Sequence, residues 1–330
     1  MGFLFGGCHI RAQDVRGADG ATVVSGRRQP ESCMSRPVTV LAILVCALIW
    51  GTTWFAITLQ LGVVDPIVSI VWRFGLASLV LFGFCAATRR PLRLTRAQHL
   101  AAVGQGAFVF AVSYGFVYAA EERVASAVVA VIFAALAFVN LVMFRLVERQ
   151  KASAGAWQGA VLGICGVAVL SFGQLAGTGA SAGSAPGLGI VLALVAVLAS
   201  ALGNWFAWRG QQAGAPVMAA TAWAMAYGTA MLAAYGLATG VEWRVEATPA
   251  YVLSLLHLSL FGSVIAFGLY FTLAKQRGFA LASYISALTP PIAVIMSVLF
   301  EEAEVGVTML VGLALVLVGQ VLLIRAPKAA

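Results

Sequence analysis

Ten apolar runs, each about 20 residues long, constrain this chain more than any other feature. Crossing ~30 Å of hydrocarbon takes about 20 residues of helix, and lipid offers no hydrogen-bond partner to a free backbone, so such runs predict helices. Only 10% of the residues are charged, too few to cover a soluble protein of 330 residues. We therefore predict an all-α membrane protein of ten transmembrane helices, at residues 38–59, 67–87, 98–119, 124–144, 157–173, 187–208, 216–238, 251–274, 280–300 and 306–324.

The distribution of basic residues predicts the orientation of these spans. If the N-terminus is cytoplasmic, Arg123 and Arg244 lie in outside loops, Arg73 lies within a span, and the other 17 of the 20 basic residues lie inside. This is the asymmetry of the positive-inside rule. It places both termini in the cytoplasm and the protein in a bacterial-type inner membrane. The net charge of +8 follows from the same rule and does not indicate a nucleic-acid partner.

The segments between and outside the spans divide the chain into two halves. Residues 1–36 are rich in Gly, Arg and Ala and have no apolar period, which predicts a disordered cytoplasmic tail. Met34 precedes the first span and would serve as a translation start. Residues 174–186 carry no charge and indicate an external linker. The linker separates two units of five spans, 37–173 and 187–325, and residues 326–330 form a second cytoplasmic tail.

Self-similarity between the halves indicates a repeat. Matching residues follow one another in the same order, separated by 151 to 153 positions: Trp54 with Trp205, Tyr114 with Phe267, Gly159 with Gly312 and Gly166 with Gly319. Because each repeat holds an odd number of spans, the halves cross the membrane in opposite directions. Inverted repeats of this kind are typical of secondary transporters.

Several motifs resemble one family. The string LIWGTTWFA at residues 48–56 resembles the first-helix signature of the drug/metabolite transporter superfamily, in its ten-helix EamA-type branch. The string RFGLA at 73–77 is similar to that family's second-helix element, and ALTPP at 287–291, followed by Glu304, to its helix-nine element. The first half keeps the acid as Glu148 but has Ala135 in place of the proline, which leaves open whether span 4 bends as span 9 should.

The resemblance implies a small-solute exporter whose central cavity is lined by spans 1, 3, 4, 6, 8 and 9. The superfamily carries amino acids, nucleotide-sugars, sugar phosphates and other metabolites. An exporter of amino acids, of the aromatic amino-acid type, is our first expectation, with the solute and the lipid bilayer as partners. We expect no cofactor and no metal, and a monomer.

The first span holds the leading candidate residues. Trp50, Thr53 and Trp54 share one helix face at mid-depth, away from the interfacial belt where tryptophan normally lies. They line a cavity or pack against protein. Asn204 and Trp205 match them in the second repeat but lie near the inner surface, where the belt explains Trp205.

Two ionisable side chains lie within spans near the outer face. Arg73 is a functional candidate because charge in lipid is costly, but its long side chain could also snorkel to the headgroups. His257 is either a hydrogen-bonded packing residue or a proton carrier.

Polar and aromatic side chains of spans 3, 8 and 9 complete the candidate site. The pair Pro290-Pro291 removes two N–H donors, so freed carbonyls must face protein, water or substrate in mid-membrane. The remaining candidates are Tyr114 and Tyr118 in span 3, Ser263 and Tyr270 in span 8, and Tyr284, Ser286, Thr289 and Pro290 in span 9.

Aromatic and hydroxyl groups with few charges suit an amphipathic, net-neutral solute. The alternative of a sugar-phosphate or nucleotide-sugar antiporter would need several cavity cations, and only Arg73 is available. An intramembrane enzyme is a further alternative, disfavoured because His257 has no obvious nucleophile and acidic partner. Because all twelve acidic residues fall outside the predicted spans, we expect facilitated movement without obligatory proton antiport.

Overall fold

The computed structural model describes residues 34–176, 185–277, 279–301 and 306–325, and all of its regular secondary structure in these ranges is helical. The all-α prediction is confirmed for this part of the chain. Residues 1–33 and 326–330 of the predicted tails, residues 177–184 of the linker, Glu304 and the side chain of Tyr284 lie outside the described residues.

Ten long helices occupy the described ranges. They are α1 (Arg36–Thr58), α2 (Pro66–Ala87), α3 (Arg96–Glu121), α4 (Ser126–Val147), α5 (Ala154–Ala176), α6 (Pro186–Gln212), α7 (Val217–Thr239), α8 (Pro249–Gln276), α9 (Phe279–Phe300) and α10 (Val307–Arg325). The first eight are long and apolar enough to cross a membrane. In α9 and α10 the described apolar stretches are shorter, Leu288–Phe300 and Val307–Leu323. Ten spans therefore stay a prediction, whereas eight are supported.

Local capping explains where several helices begin. The Asp65 side chain accepts a hydrogen bond from the Ile67 backbone N–H at 2.8 Å, and Pro66 follows as the first residue of α2. Thr95 and Gln98 form a capping box at the start of α3. Each cap satisfies N–H groups that have no partner within their own helix.

Two stretches of altered helix geometry fall at corresponding places in the two halves, whereas a third interruption occurs in one half alone. Residues Gly106–Ser113 of α3 and His257–Ile265 of α8 adopt π-helical geometry, which commonly marks functional positions. Helix α4 is interrupted between Phe133 and Leu136 although it has no proline there. In contrast, α9 runs without interruption through Pro290 and Pro291, so the expected break is absent.

Close packing of glycines joins the two halves. A Cβ atom at Gly159 would lie 2.5 Å from the Gly319 carbonyl oxygen, and one at Gly166 would lie 2.7 Å from that of Gly312. The helices α5 and α10 therefore run antiparallel in direct backbone contact. These are the glycines that match one another in the two repeats, and their reciprocal pairing agrees with an inverted repeat.

Candidate functional site

A central cavity lies between six helices, α1, α3, α4, α6, α8 and α9, the set implied by the resemblance. Its empty volume is about 790 Å³, including the part that is open to the outside of the protein. Its lining consists of apolar, aromatic and uncharged polar side chains: Trp50, Thr53, Trp54, Ile57, Val109, Tyr114, Val117, Ala130, Phe133, Ala134, Leu136, Ser200, Asn204, Phe267, Tyr270, Ser286 and Thr289.

Trp50 forms a fixed part of the cavity wall. Its indole N–H donates to the Gly262 carbonyl oxygen at 3.1 Å, within the π-helical stretch of α8. Its ring lies 5.2 Å from the rings of Phe267 and Tyr270, centroid to centroid. These contacts hold the ring in one orientation.

Trp54 differs from Trp50 in having an unused donor. Its ring packs 5.2 Å from that of Phe133, but its buried indole N–H has no hydrogen-bond partner among the described residues. The side-chain amide nitrogen of Asn204, across the cavity on α6, is likewise buried and without such a partner. Two residues of the cavity lining therefore each hold a buried donor that has no acceptor among the described residues.

The cavity hydroxyls of Thr53 and Thr289 are satisfied within the protein. Thr53 donates to the Trp50 carbonyl oxygen at 2.9 Å. Thr289 donates to the Ile285 carbonyl oxygen at 2.8 Å, one turn earlier in α9 and next to the two prolines. These hydroxyls have acceptors within the protein, whereas the side-chain nitrogens of Trp54 and Asn204 have none among the described residues.

Arg73 lies behind the cavity wall and is only 1% exposed, so it does not snorkel to the lipid headgroups. Its Nε donates to the Ser263 hydroxyl at 3.2 Å and its Nη2 to the Tyr114 hydroxyl at 3.5 Å. The guanidinium carbon lies 4.5 Å from the centre of the Tyr114 ring. Nη1 is buried and has no hydrogen-bond partner among the described residues.

Other predicted site residues lie outside the cavity lining. His257 Nε2 is 3.1 Å from the Thr52 hydroxyl, and the Tyr118 hydroxyl donates to Gln60 at 2.8 Å. Trp205 is also held, through an indole N–H that donates to the Glu148 carboxylate at 2.6 Å. Pro290 is buried within α9. The structure thus brings together Trp50, Thr53, Trp54, Tyr114, Asn204, Tyr270, Ser286 and Thr289, and leaves Arg73, Tyr118, Trp205, His257, Ser263 and Pro290 outside the lining.

Sequence reasoning missed several residues near this site. Phe133 and Ser200 line the cavity, but nothing distinguishes them in sequence from other apolar or small residues of their spans. Phe267 could have been identified, because it matches Tyr114 in the repeat. Glu121 departs most from the sequence prediction, which places it outside the spans, because it is the last residue of α3 and only 7% exposed. Charged residues are common at the ends of predicted spans, so the sequence does not show that this one is buried.

The chain is similar to known transporters along most of its length. The EamA-like transporter family matches residues 37–172 and 187–325, one match in each half. An uncharacterized inner membrane transporter of Escherichia coli, YedA, is 28% identical over 264 residues, which cover 77% of this chain and 80% of the relative. A probable amino-acid metabolite efflux pump of Escherichia coli is 24% identical over 87% of this chain and 94% of the relative.

A protein of known structure shares the fold of this chain. A protein of known crystal structure superposes with a TM-score of 0.65 and 19% sequence identity, covering 87% of this chain and 96% of that protein. At this identity the likeness concerns the fold alone. Together with the two family matches and the apolar helices, it leads to one conclusion: the chain belongs to the EamA-like transporter family, as a multi-pass transporter of the inner membrane.

Proposed function

We propose that this transporter exports a small amphipathic, net-neutral metabolite, with an amino acid as the first candidate, by alternating access through the central cavity. The observation that carries the proposal is the pair of unused donors, Trp54 Nε1 and Asn204 Nδ2, in a largely aromatic wall. Leaving a buried donor without an acceptor costs about 1–3 kcal/mol. A solute carboxylate or carbonyl oxygen at these nitrogens would remove that cost.

The aromatic wall suits the other parts of an amino acid. The rings of Trp50, Tyr114 and Phe267 offer apolar area for a side chain and negative π faces for an ammonium group. A zwitterion with an apolar side chain therefore fits a cavity that combines N–H donors with aromatic faces. The relative named as a probable amino-acid metabolite efflux pump supports this solute and the outward direction.

A phosphorylated solute has less support. Sugar phosphates and nucleotide-sugars carry charges that proteins usually bind with Arg or Lys, and no such residue lines the cavity among the described residues. Arg73 is buried behind Tyr114 and already donates to Ser263. An intramembrane enzyme is the weakest alternative, because His257 contacts Thr52 away from the cavity.

The membrane arrangement belongs to the same proposal. Ten spans would cross the membrane as two inverted repeats, 37–173 and 187–325, with both termini in the cytoplasm. The antiparallel contact of α5 with α10 and the family match in each half support this arrangement. The transporter would act as a monomer, with the lipid and the solute as its partners.

Counterflow into proteoliposomes, with purified full-length protein, tests the choice of solute. A panel of labelled compounds would include apolar and aromatic amino acids, charged amino acids, a sugar phosphate and a nucleotide-sugar. We expect exchange of the apolar or aromatic amino acids, and no exchange of the phosphorylated compounds above empty liposomes. Exchange of the phosphorylated compounds alone would overturn the proposal in favour of the antiporter.

A further inference from the structure

Glu121 is a buried carboxyl group without a hydrogen-bond donor. It ends α3, is 7% exposed, and neither carboxyl oxygen has a partner among the described residues. The next residue shows the ordinary alternative, because Glu122 is exposed and pairs with Arg123 at 3.0 Å. An ionised carboxylate that is removed from water without compensation is strongly disfavoured. The burial of Glu121 therefore requires a neutral state or a moving partner.

Two charged groups from other helices act on Glu121. Arg73 of α2 and Glu301, just after α9, are close enough to influence it electrostatically. Glu301 is well supplied with donors: the Ser126 backbone N–H at 3.2 Å, the Ser126 hydroxyl and the Ser297 hydroxyl at 2.9 Å. The carboxyl group of Glu301 is thus hydrogen-bonded at the start of α4, whereas that of Glu121 has no donor among the described residues.

Besides the Glu122–Arg123 pair, whose charges offset each other, the neighbouring polar side chains of Tyr118 and Gln60 are uncharged. Tyr118, one turn earlier in α3, gives its hydroxyl proton to Gln60, which follows α1. The Gln60 amide nitrogen is itself buried without a partner among the described residues. Arg73 is therefore the positive group that can respond to the charge of Glu121. The two residues form no direct ion pair among those described, and the Nη1 of Arg73 is unused.

Arg73 connects Glu121 to the central cavity. Its Nη2 donates to the hydroxyl of Tyr114, which lines the cavity. Tyr114, Tyr118 and Glu121 follow one another at spacings of four and three residues, along one face of α3. A solute that displaces Tyr114 would move the guanidinium group and so change the electrostatic potential at Glu121. By linkage, the protonation of Glu121 would then change the affinity for the solute.

We propose that Glu121 is the proton-binding site of this transporter, and that it takes up and releases one proton in each transport cycle. A proton on a carboxylate oxygen removes the negative charge of Glu121, and the guanidinium group of Arg73 then keeps the contact with Tyr114 that the structure shows. Release of the proton restores the charge and draws the guanidinium group from Tyr114 toward Glu121. This reverses the expectation of uncoupled movement, which rested on the absence of acidic residues within spans.

Transport into proteoliposomes tests the coupling, with labelled phenylalanine as the probe, and this arm rests on the proposed amino-acid substrate. The measured quantity is the ratio of phenylalanine accumulation under an imposed pH gradient to counterflow at equal pH. We expect this ratio to fall at least tenfold in E121Q. In E122Q, the exposed neighbour, it should match the wild type. A wild-type protein that exchanges phenylalanine but never accumulates it under a gradient of either direction would overturn the proposal.

Infrared titration of the purified full-length protein tests the site without any solute. A protonated carboxyl group that lacks a hydrogen bond absorbs at a higher frequency than one that is bonded. We expect such a titrating band in the wild type and in E122Q, its absence in E121Q, and its return with an altered midpoint in E121D. Absence of the band from the folded wild-type protein would contradict the proposal that Glu121 binds the proton. If phenylalanine shows no counterflow, the proposed substrate fails, and this titration still decides the role of Glu121.

Discussion

Two tryptophans on one helix face have different roles in the cavity. The indole N–H of Trp50 donates a hydrogen bond to the Gly262 carbonyl oxygen, and its ring packs against those of Phe267 and Tyr270. Among the described residues, the Trp54 ring packs against that of Phe133 and its N–H has no acceptor. The first residue therefore shapes the wall, and the second is the one that we propose contacts the solute.

Trp54 variants separate stacking from hydrogen bonding. Trp54→Phe removes the N–H but keeps a ring, and a typical net hydrogen bond of about 0.5–1.5 kcal/mol corresponds to a roughly two- to tenfold loss of apparent affinity. Trp54→Ala should lose more, because stacking adds about 0.5–1.5 kcal/mol. The measurement is half-saturation of counterflow, with Trp72→Ala, at an exposed residue outside the cavity lining, as the control. Wild-type affinity in both Trp54 variants, with only a lower yield, would mean that Trp54 is a packing residue.

At the scale of single helices, the places where helices are interrupted do not coincide with the prolines. Helix α4 is interrupted beside Ala134 and Ala135 without any proline, whereas α9 continues through Pro290 and Pro291. Helix geometry in this protein therefore depends on neighbouring contacts as well as on local sequence.

The glycine contact between α5 and α10 predicts a stability defect. A Cβ in Gly166→Ala would meet the Gly312 carbonyl oxygen at 2.7 Å, and backbone cannot move aside as a side chain can. We expect destabilisation of roughly 1–3 kcal/mol, seen as a lower midpoint of thermal unfolding in detergent. Gly83→Ala in α2 is the matched control, since its Cβ would meet no atom within 4 Å. Equal midpoints for the two variants would contradict the close approach of α5 and α10.

At the scale of the whole molecule, two halves of similar sequence meet through equivalent residues. Gly159 faces Gly319 while Gly166 faces Gly312, so each half supplies the same surface to the contact. Such isologous pairing is what the proposed two-fold relation between the repeats would produce. The six helices around the cavity also divide equally, with three from each half.

The orientation in the membrane gives a prediction for the intact protein. In a background with all five native cysteines replaced, Glu242→Cys lies in the loop between α7 and α8, and Arg90→Cys lies between α2 and α3. An impermeant maleimide should label Glu242→Cys on intact cells and Arg90→Cys only after permeabilisation, because basic loops stay inside. The reverse pattern would place both termini outside.

The sequence by itself determined the class of the fold, since lipid forces apolar runs of this length into helices. The orientation that loop charge predicts awaits the labelling test. The sequence also identified eight residues that line the cavity, because polar and aromatic side chains at mid-span are unusual against a lipid background. Only the tertiary structure separated Trp54 from Trp50, placed Arg73 behind the wall and buried Glu121. Those distinctions depend on which groups of distant helices meet, and hydrogen-bond partners more than 150 residues away, such as Gly262 for Trp50, leave no local pattern.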